Sequence, residues 1–125
     1  MANTFKVVTF AAEPNSAGTP YDIYTASASG SGVTTVVLGL ILTNIHTSQV
    51  TAELELVSTT SARGGANDVA NGTAFLAKDI PIPVGSSVEL LAGNKVVLEK
   101  GDKLRVDCSV ADKLSGALSI MEIDN

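Results

Sequence analysis

Between residues 49 and 58, apolar side chains take every second position: Val50, Ala52, Leu54 and Leu56 alternate with Thr51, Glu53 and Glu55. A period of two puts alternate residues on opposite faces of an extended strand, whereas a helix needs apolar residues three and four apart. Leu104, Val106 and Cys108 alternate in the same way with Lys103, Arg105 and Asp107. Each segment is expected to be a strand with one face buried and one wet. Val33–Asn44 is different, with Val36, Leu38, Leu40 and Leu42 on one face and Val37 and Ile41 on the other. A strand apolar on both faces belongs inside a sheet covered on both sides, or covered by a neighbouring subunit. Gly39 in its middle reads as a bulge or a close backbone approach.

Further strands are expected at residues 5–10, Tyr21–Thr25, 73–80, 86–91, 95–99 and 116–123. Ala92-Gly93-Asn94 reads as a hairpin turn, and Glu99-Lys100-Gly101-Asp102 as the turn of the next pair, because Gly and Asn tolerate positive φ. Pro81-Ile82-Pro83-Val84-Gly85 belongs at an edge or a corner between sheets, since proline offers no N–H to a ladder. Eight or nine short strands with such turns give an all-β fold without significant helix. Such a pattern fits an antiparallel sandwich or a small barrel, and the expected architecture is an antiparallel, jelly-roll-like β-sandwich. Its length, 125 residues, suits one domain over residues 21–125, preceded by a residue 1–20 arm with a two-proline linker that can lie on a neighbour or on its own domain. Residues 58–72 form a long small-residue loop, ordered only by a partner or mobile.

Charge narrows the partners. The net charge is −5, with one cation against four carboxylates in residues 1–60 and seven against nine in the remainder. Neither half has the basic footprint of a nucleic-acid binder, and an anionic membrane surface would be repelled. Residues 36–42, the longest apolar run, reach about a third of a bilayer span. The opening Met1-Ala2-Asn3-Thr4-Phe5-Lys6 lacks basic and apolar signal regions, so no signal peptide and synthesis in a cytoplasm are expected. Asn71-Gly72-Thr73 fits a glycosylation sequon, which has no use without secretion. Charged residues make up 17% against an ordinary share of about 25%, while 45% are hydrophobic. A chain so constituted leaves weakly polar surface outside, which marks contact with another subunit.

Reactive groups are scarce. One Cys and one His exclude an intrachain disulfide and a Cys/His zinc site. His46, between two strands, reads as a turn histidine rather than a general base. Cys108 falls on an apolar strand face and reads as a small buried hydrophobe. Gly30-Ser31-Gly32 lacks the following helix of a phosphate cradle. Glu53/Glu55 and Asp102/Asp107 are the carboxylate pairs that glycosidic chemistry would use; Glu53 and Glu55, about 7 Å apart on one strand face, also fit any solvated strand. Asn67-Asp68-Val69-Ala70-Asn71 holds too little charge for calcium. A sugar-binding sandwich needs exposed aromatic platforms, and Phe5, Phe10, Phe75, Tyr21 and Tyr24 must also supply the core. No catalytic, cofactor-binding or metal residue is therefore assigned, no cofactor is expected, and the chain is read as non-enzymatic.

The block from Pro83 to Val106, which contains Pro83-Val84-Gly85-Ser86-Ser87 and Leu98-Glu99-Lys100-Gly101-Asp102, is preceded by Asp22-Ile23-Tyr24-Thr25, Val36-Val37-Leu38-Gly39-Leu40 and Leu42-Thr43-Asn44. Together, over about residues 21–123, these resemble small all-β virion structural proteins of tailed bacteriophages, especially those of marine bacteria and cyanobacteria. The motifs are turn chemistry rather than catalytic signatures. The resemblance implies a virion component, foremost a capsid decoration (cement) protein that stabilises the shell through subunit contacts. Its partners would be itself, as trimers or larger symmetric clusters, and virion proteins such as the major capsid protein, with no nucleic acid and no membrane. A neck, collar, tail or fibre accessory is the alternative, and a soluble carbohydrate- or ligand-binding sandwich is a third.

Overall fold

The computed structural model describes residues 2–26, 33–58, 72–91 and 95–124. The 58–72 loop, the Gly30-Ser31-Gly32 turn, the 67–71 calcium candidate and the Ala92-Gly93-Asn94 turn lie wholly or largely outside them. Nine strands run in the order β1 (Ala2–Glu13), β2 (Tyr21–Thr25), β3 (Val33–Asn44), β4 (Val50–Ser58), β5 (Gly72–Ile82), β6 (Ser87–Leu90), β7 (Val96–Leu98), β8 (Lys103–Cys108) and β9 (Leu114–Asp124). No helix occurs among the described residues. All pairings are antiparallel, and they form two sheets, β1-β9-β3-β6 with β7 also on β3, and β2-β8-β4-β5. The sandwich expected from the alternation is present. β6 and β7 lie end to end along one edge of β3, so the first sheet has four ribs like the second. With them counted as one rib, each successive rib crosses to the opposite sheet except β4 to β5, which is jelly-roll wiring.

This placement corrects two turns. β6 and β7 do not form a hairpin, because both pair with β3. Glu99–Asp102 does not close a hairpin either, since β7 and β8 belong to different sheets. The turn itself is real: Asp102 N donates to the Glu99 carbonyl at 2.9 Å and Gly101 sits at φ 89°. Turn chemistry reverses a chain locally but does not choose the strand it pairs with. The Pro81–Gly85 corner stands as expected, with β5 at a sheet edge and Gly85 at φ 72°.

The core lies between the sheets. Val37, Leu40 and Leu42 of β3 and Leu114, Leu118 and Ile120 of β9 meet Val50, Ala52 and Leu54 of β4 and Leu104, Val106 and Cys108 of β8. Register against β9 shifts between Val37 and Gly39, leaving Leu38 as the extra residue of a bulge. That shift corrects the face assignment of β3. Val37, Leu40 and Leu42 point inward, whereas Val36 and Ile41 face out. β1 also runs past the expected 5–10 strand, pairing with β9 of its own chain and setting Phe10 against Tyr21 with ring centroids 5.6 Å apart.

One polar cluster ties the sheets together. Tyr24 Oη donates to Glu122 Oε2 at 2.5 Å and lies 2.8 Å from Thr35 Oγ1, while Lys6 Nζ reaches Glu122 Oε1 at 2.7 Å. Burial, then the Glu122 carboxylate, pushes the Tyr24 hydroxyl up to about 12. The hydrogen bonds from Lys6 and Tyr24 hold Glu122 below the ordinary carboxylate value. Tyr24→Phe is expected to cost about 1 kcal/mol in denaturant unfolding, since Glu122 and Thr35 each lose a part-buried hydrogen-bond partner. The pH dependence follows from the two shifts. Glu122 stabilises the fold above its ordinary value of 4.5, and this is lost as pH falls below it. Tyr24 resists ionisation, so its contribution is complete below pH 10.0 and fades as pH rises toward about 12. Melting temperatures should therefore fall on both sides. Glu122→Gln should flatten the acid limb and Tyr24→Phe the alkaline one.

Candidate functional site

The residues weighed for chemistry do not converge. His46 is a half-buried turn residue whose backbone N–H donates to Asn44 Oδ1 at 2.7 Å. Asn44, which closes β3 and the Leu42-Thr43-Asn44 motif, is the buried hub of that turn, a role that nothing in the local pattern signals. Its Nδ2 donates at 2.9 Å to the carbonyls of both Ser48 and Ile82. Cys108 is a free, buried thiol on the inner face of β8. Glu55, read as wet, is buried and paired with Arg105 Nε, and Glu53 bonds Lys78 Nζ at 2.8 Å. The correction has a cause: Arg105 of β8 lies directly across the ladder from Glu55 and covers it. Asp102 is buried within its own turn, and Asp107 Oδ1 accepts from Gly18 N and Cys108 N. Among the described residues, no group of three His, Cys, Asp or Glu side chains could hold a metal ion. Phe5 and Phe75 are exposed on opposite sheets, and Phe10 is in the core.

What the fold does assemble is a contrast between its two outer faces. Register fixes each row, because residues opposite one another share a face. On the second sheet one row reads Asp22, Arg105, Glu55, Phe75, with Lys103 bridging to Asp22 at 3.4 Å and Lys78 lying 4.6 Å from the Phe75 ring centre. This face is charge-laced and at home in water. On the first sheet the corresponding row reads Phe5, Met121, Val36, Val97, running across β1, β9, β3 and β7. Phe5 is 71% exposed and Val97 55%. The next rows add Val7, Ser119 and Gly39, then Thr9, Ala117 and Ile41, with Glu89 at the β6 rim.

A shallow depression of about 320 Å³ opens in this face where the bulge interrupts β3, lined by Leu38, Ile41, Leu90 and Ala117 among others. Its origin is the register shift, since β6 and β7 stop on either side of it. Contiguous apolar surface of this kind marks an interaction site.

No protein-family model matches the sequence, and no curated protein sequence does. Solved structures match by shape. A chain of the T13 viral particle of infectious bursal disease virus superposes with a TM-score of 0.52 at 10% identity, over 96% of this chain and 30% of that one. The VP2 subviral particle of the same virus gives 0.51 at 14% identity, over 95% and 32%. The fold is shared with chains of virus particles. Identities this low speak of fold alone, and the present chain spans about a third of the length of those viral chains. A subunit of Bacillus endospore appendages, described as disulfide-linked pili, matches over 97% of this chain and 85% of its own at 16% identity, but its TM-score of 0.45 carries no argument.

Proposed function

We propose that this chain is a non-enzymatic structural subunit of a phage virion, most directly a capsid decoration protein that cements the shell through contacts with copies of itself and with the major capsid protein. One observation carries the reading: the apolar row Phe5, Met121, Val36, Val97 lies open on one sheet, while the matching row of the other sheet sets three charged residues, Asp22, Arg105 and Glu55, beside Phe75. Burying such a face on assembly stabilises by about 25 cal/mol per Å² of apolar surface removed from water. A binding equilibrium of this kind reinforces the shell by mass action and needs no reaction. The jelly-roll sandwich shared with virus-particle chains supports the reading at the level of fold. The two exposed phenylalanines face opposite ways, which disfavours the sugar-binding alternative.

Counting copies in purified particles tests the proposal. Hundreds per virion support decoration, whereas about 3 to 18 would instead indicate a neck, collar or tail ring. Absence from particles would overturn a virion role of either kind.

A further inference from the structure

The first sheet ends on β1, and β1 differs from the other sheet edges. β5 carries Pro81, which has no N–H, along with Asp79 at φ 52° and two register shifts against β4. β2 has five residues and shifts register between Asp22 and Tyr24. The edge opposite β1 is split into β6 and β7 at the bulge of β3. β1 carries one register shift, between Phe10 and Glu13, and one edge lysine, Lys6, but from Ala2 to Phe10 it has no proline, no shift and no break. From Ala2 to Phe10 it pairs with β9 residue for residue, and among the described residues no strand pairs with its other side. An extended strand with an open row of N–H and C=O groups is a template for a further strand.

Side chains and charge narrow the occupant. The outward residues Phe5 and Val7 are 71% and 64% exposed, so the apolar face runs right up to this edge. The charge on residues 3–10 is limited to Lys6, which Glu122 already neutralises. A partner selected by charge finds nothing to read there, whereas an identical edge matches it under a two-fold axis. With the axis at Val7, antiparallel pairing sets Phe5 against Thr9 and Lys6 against Val8, and no like charges meet. Centring on Lys6 instead would oppose two ammonium groups.

We infer that β1 is a self-pairing edge: two copies of this chain join antiparallel, β1 to β1, about Val7, so that the first sheet runs unbroken through both. The contact deepens the subunit reading by naming how one copy meets the next, and it makes the two apolar faces continuous.

Single-cysteine variants of the full chain test it. Opposed Cα atoms in an antiparallel pair lie about 4.5–5.5 Å apart, within disulfide reach. Under mild oxidation Val7→Cys is expected to give a covalent dimer, while Val97→Cys at the opposite edge of the sheet stays unlinked and the native Cys108 is buried. Val7→Lys puts two like charges at the axis. It should weaken the dimer at least tenfold in sedimentation equilibrium without moving the melting temperature measured at dilutions where the wild type is itself monomeric. A wild-type chain that is monomeric at every concentration, or a Val97→Cys dimer with Val7→Cys unlinked, overturns the inference. Particles rich in a chain whose Val7→Cys variant fails to link would overturn the edge contact and leave the subunit reading standing. A linked dimer from a chain absent from particles would do the reverse.

Discussion

The double variant Val36→Lys/Val97→Lys is expected to fold as the wild type does and to vanish from the assembled particle. These side chains face each other across β3 and β7 on the outer face, Val97 more than half exposed. In the free subunit both ammonium groups reach water, so stability changes by no more than the roughly 0.2–1 kcal/mol of a like-charge pair across strands. Covering the face would strip water from two cations that have no partner, at a cost of several kcal/mol. Incorporation should drop at least about a hundredfold, equivalent to ~2.8 kcal/mol at 1.4 kcal/mol per tenfold. Asp22→Lys on the charged sheet makes the same change in net charge and should incorporate normally.

Gly116→Ala should be among the most damaging small substitutions in the molecule. A Cβ there would sit 2.5 and 2.6 Å from ring carbons of Phe10 and 2.9 Å from the carbonyl oxygen of Ile41. Neither neighbour yields easily. The Phe10 ring is buried against Tyr21, and the Ile41 carbonyl belongs to the β3–β9 ladder. Overpacking typically costs about 1–3 kcal/mol, and two constrained neighbours put this case at or above the top of that range. For a domain of this size the melting temperature should fall by about 10 °C or more. Adding Phe10→Leu removes the ring contact but not the carbonyl one, so a double-mutant cycle should show a coupling of about 1 kcal/mol. Strict additivity would contradict this packing.

Local pattern made most of the strands legible. Tyr21–Thr25, Val33–Asn44 and Lys103–Cys108 were bounded correctly because alternation and turn residues act within a few positions. Partners were not legible. Gly93-Asn94 carries hairpin chemistry, yet its flanking strands both pair with β3, a choice made by contacts 44 to 63 residues away in sequence. The face of β3 was misread because one inserted residue, Leu38, reverses the phase of alternation between Val37 and Leu40. Glu55 looked solvated because Arg105, which covers it, is 50 residues distant. The interaction surface was half visible: excess apolar residues on β3 and a low charge share implied a covered face. Its extent needed the register that lines up Phe5, Met121, Val36 and Val97 from four strands.

Oxidative footprinting of Met121 gives the most direct reading of whether that face is covered. The thioether sits in the middle of the apolar row and reacts with peroxide in proportion to its access. In purified particles containing the chain, its oxidation should be at least tenfold slower than in the isolated, dilute subunit, with Val36→Lys/Val97→Lys absent from the particles. Oxidation at the same rate in both states would mean the face stays open to water, and the account of this chain as a subunit covered through it would be wrong.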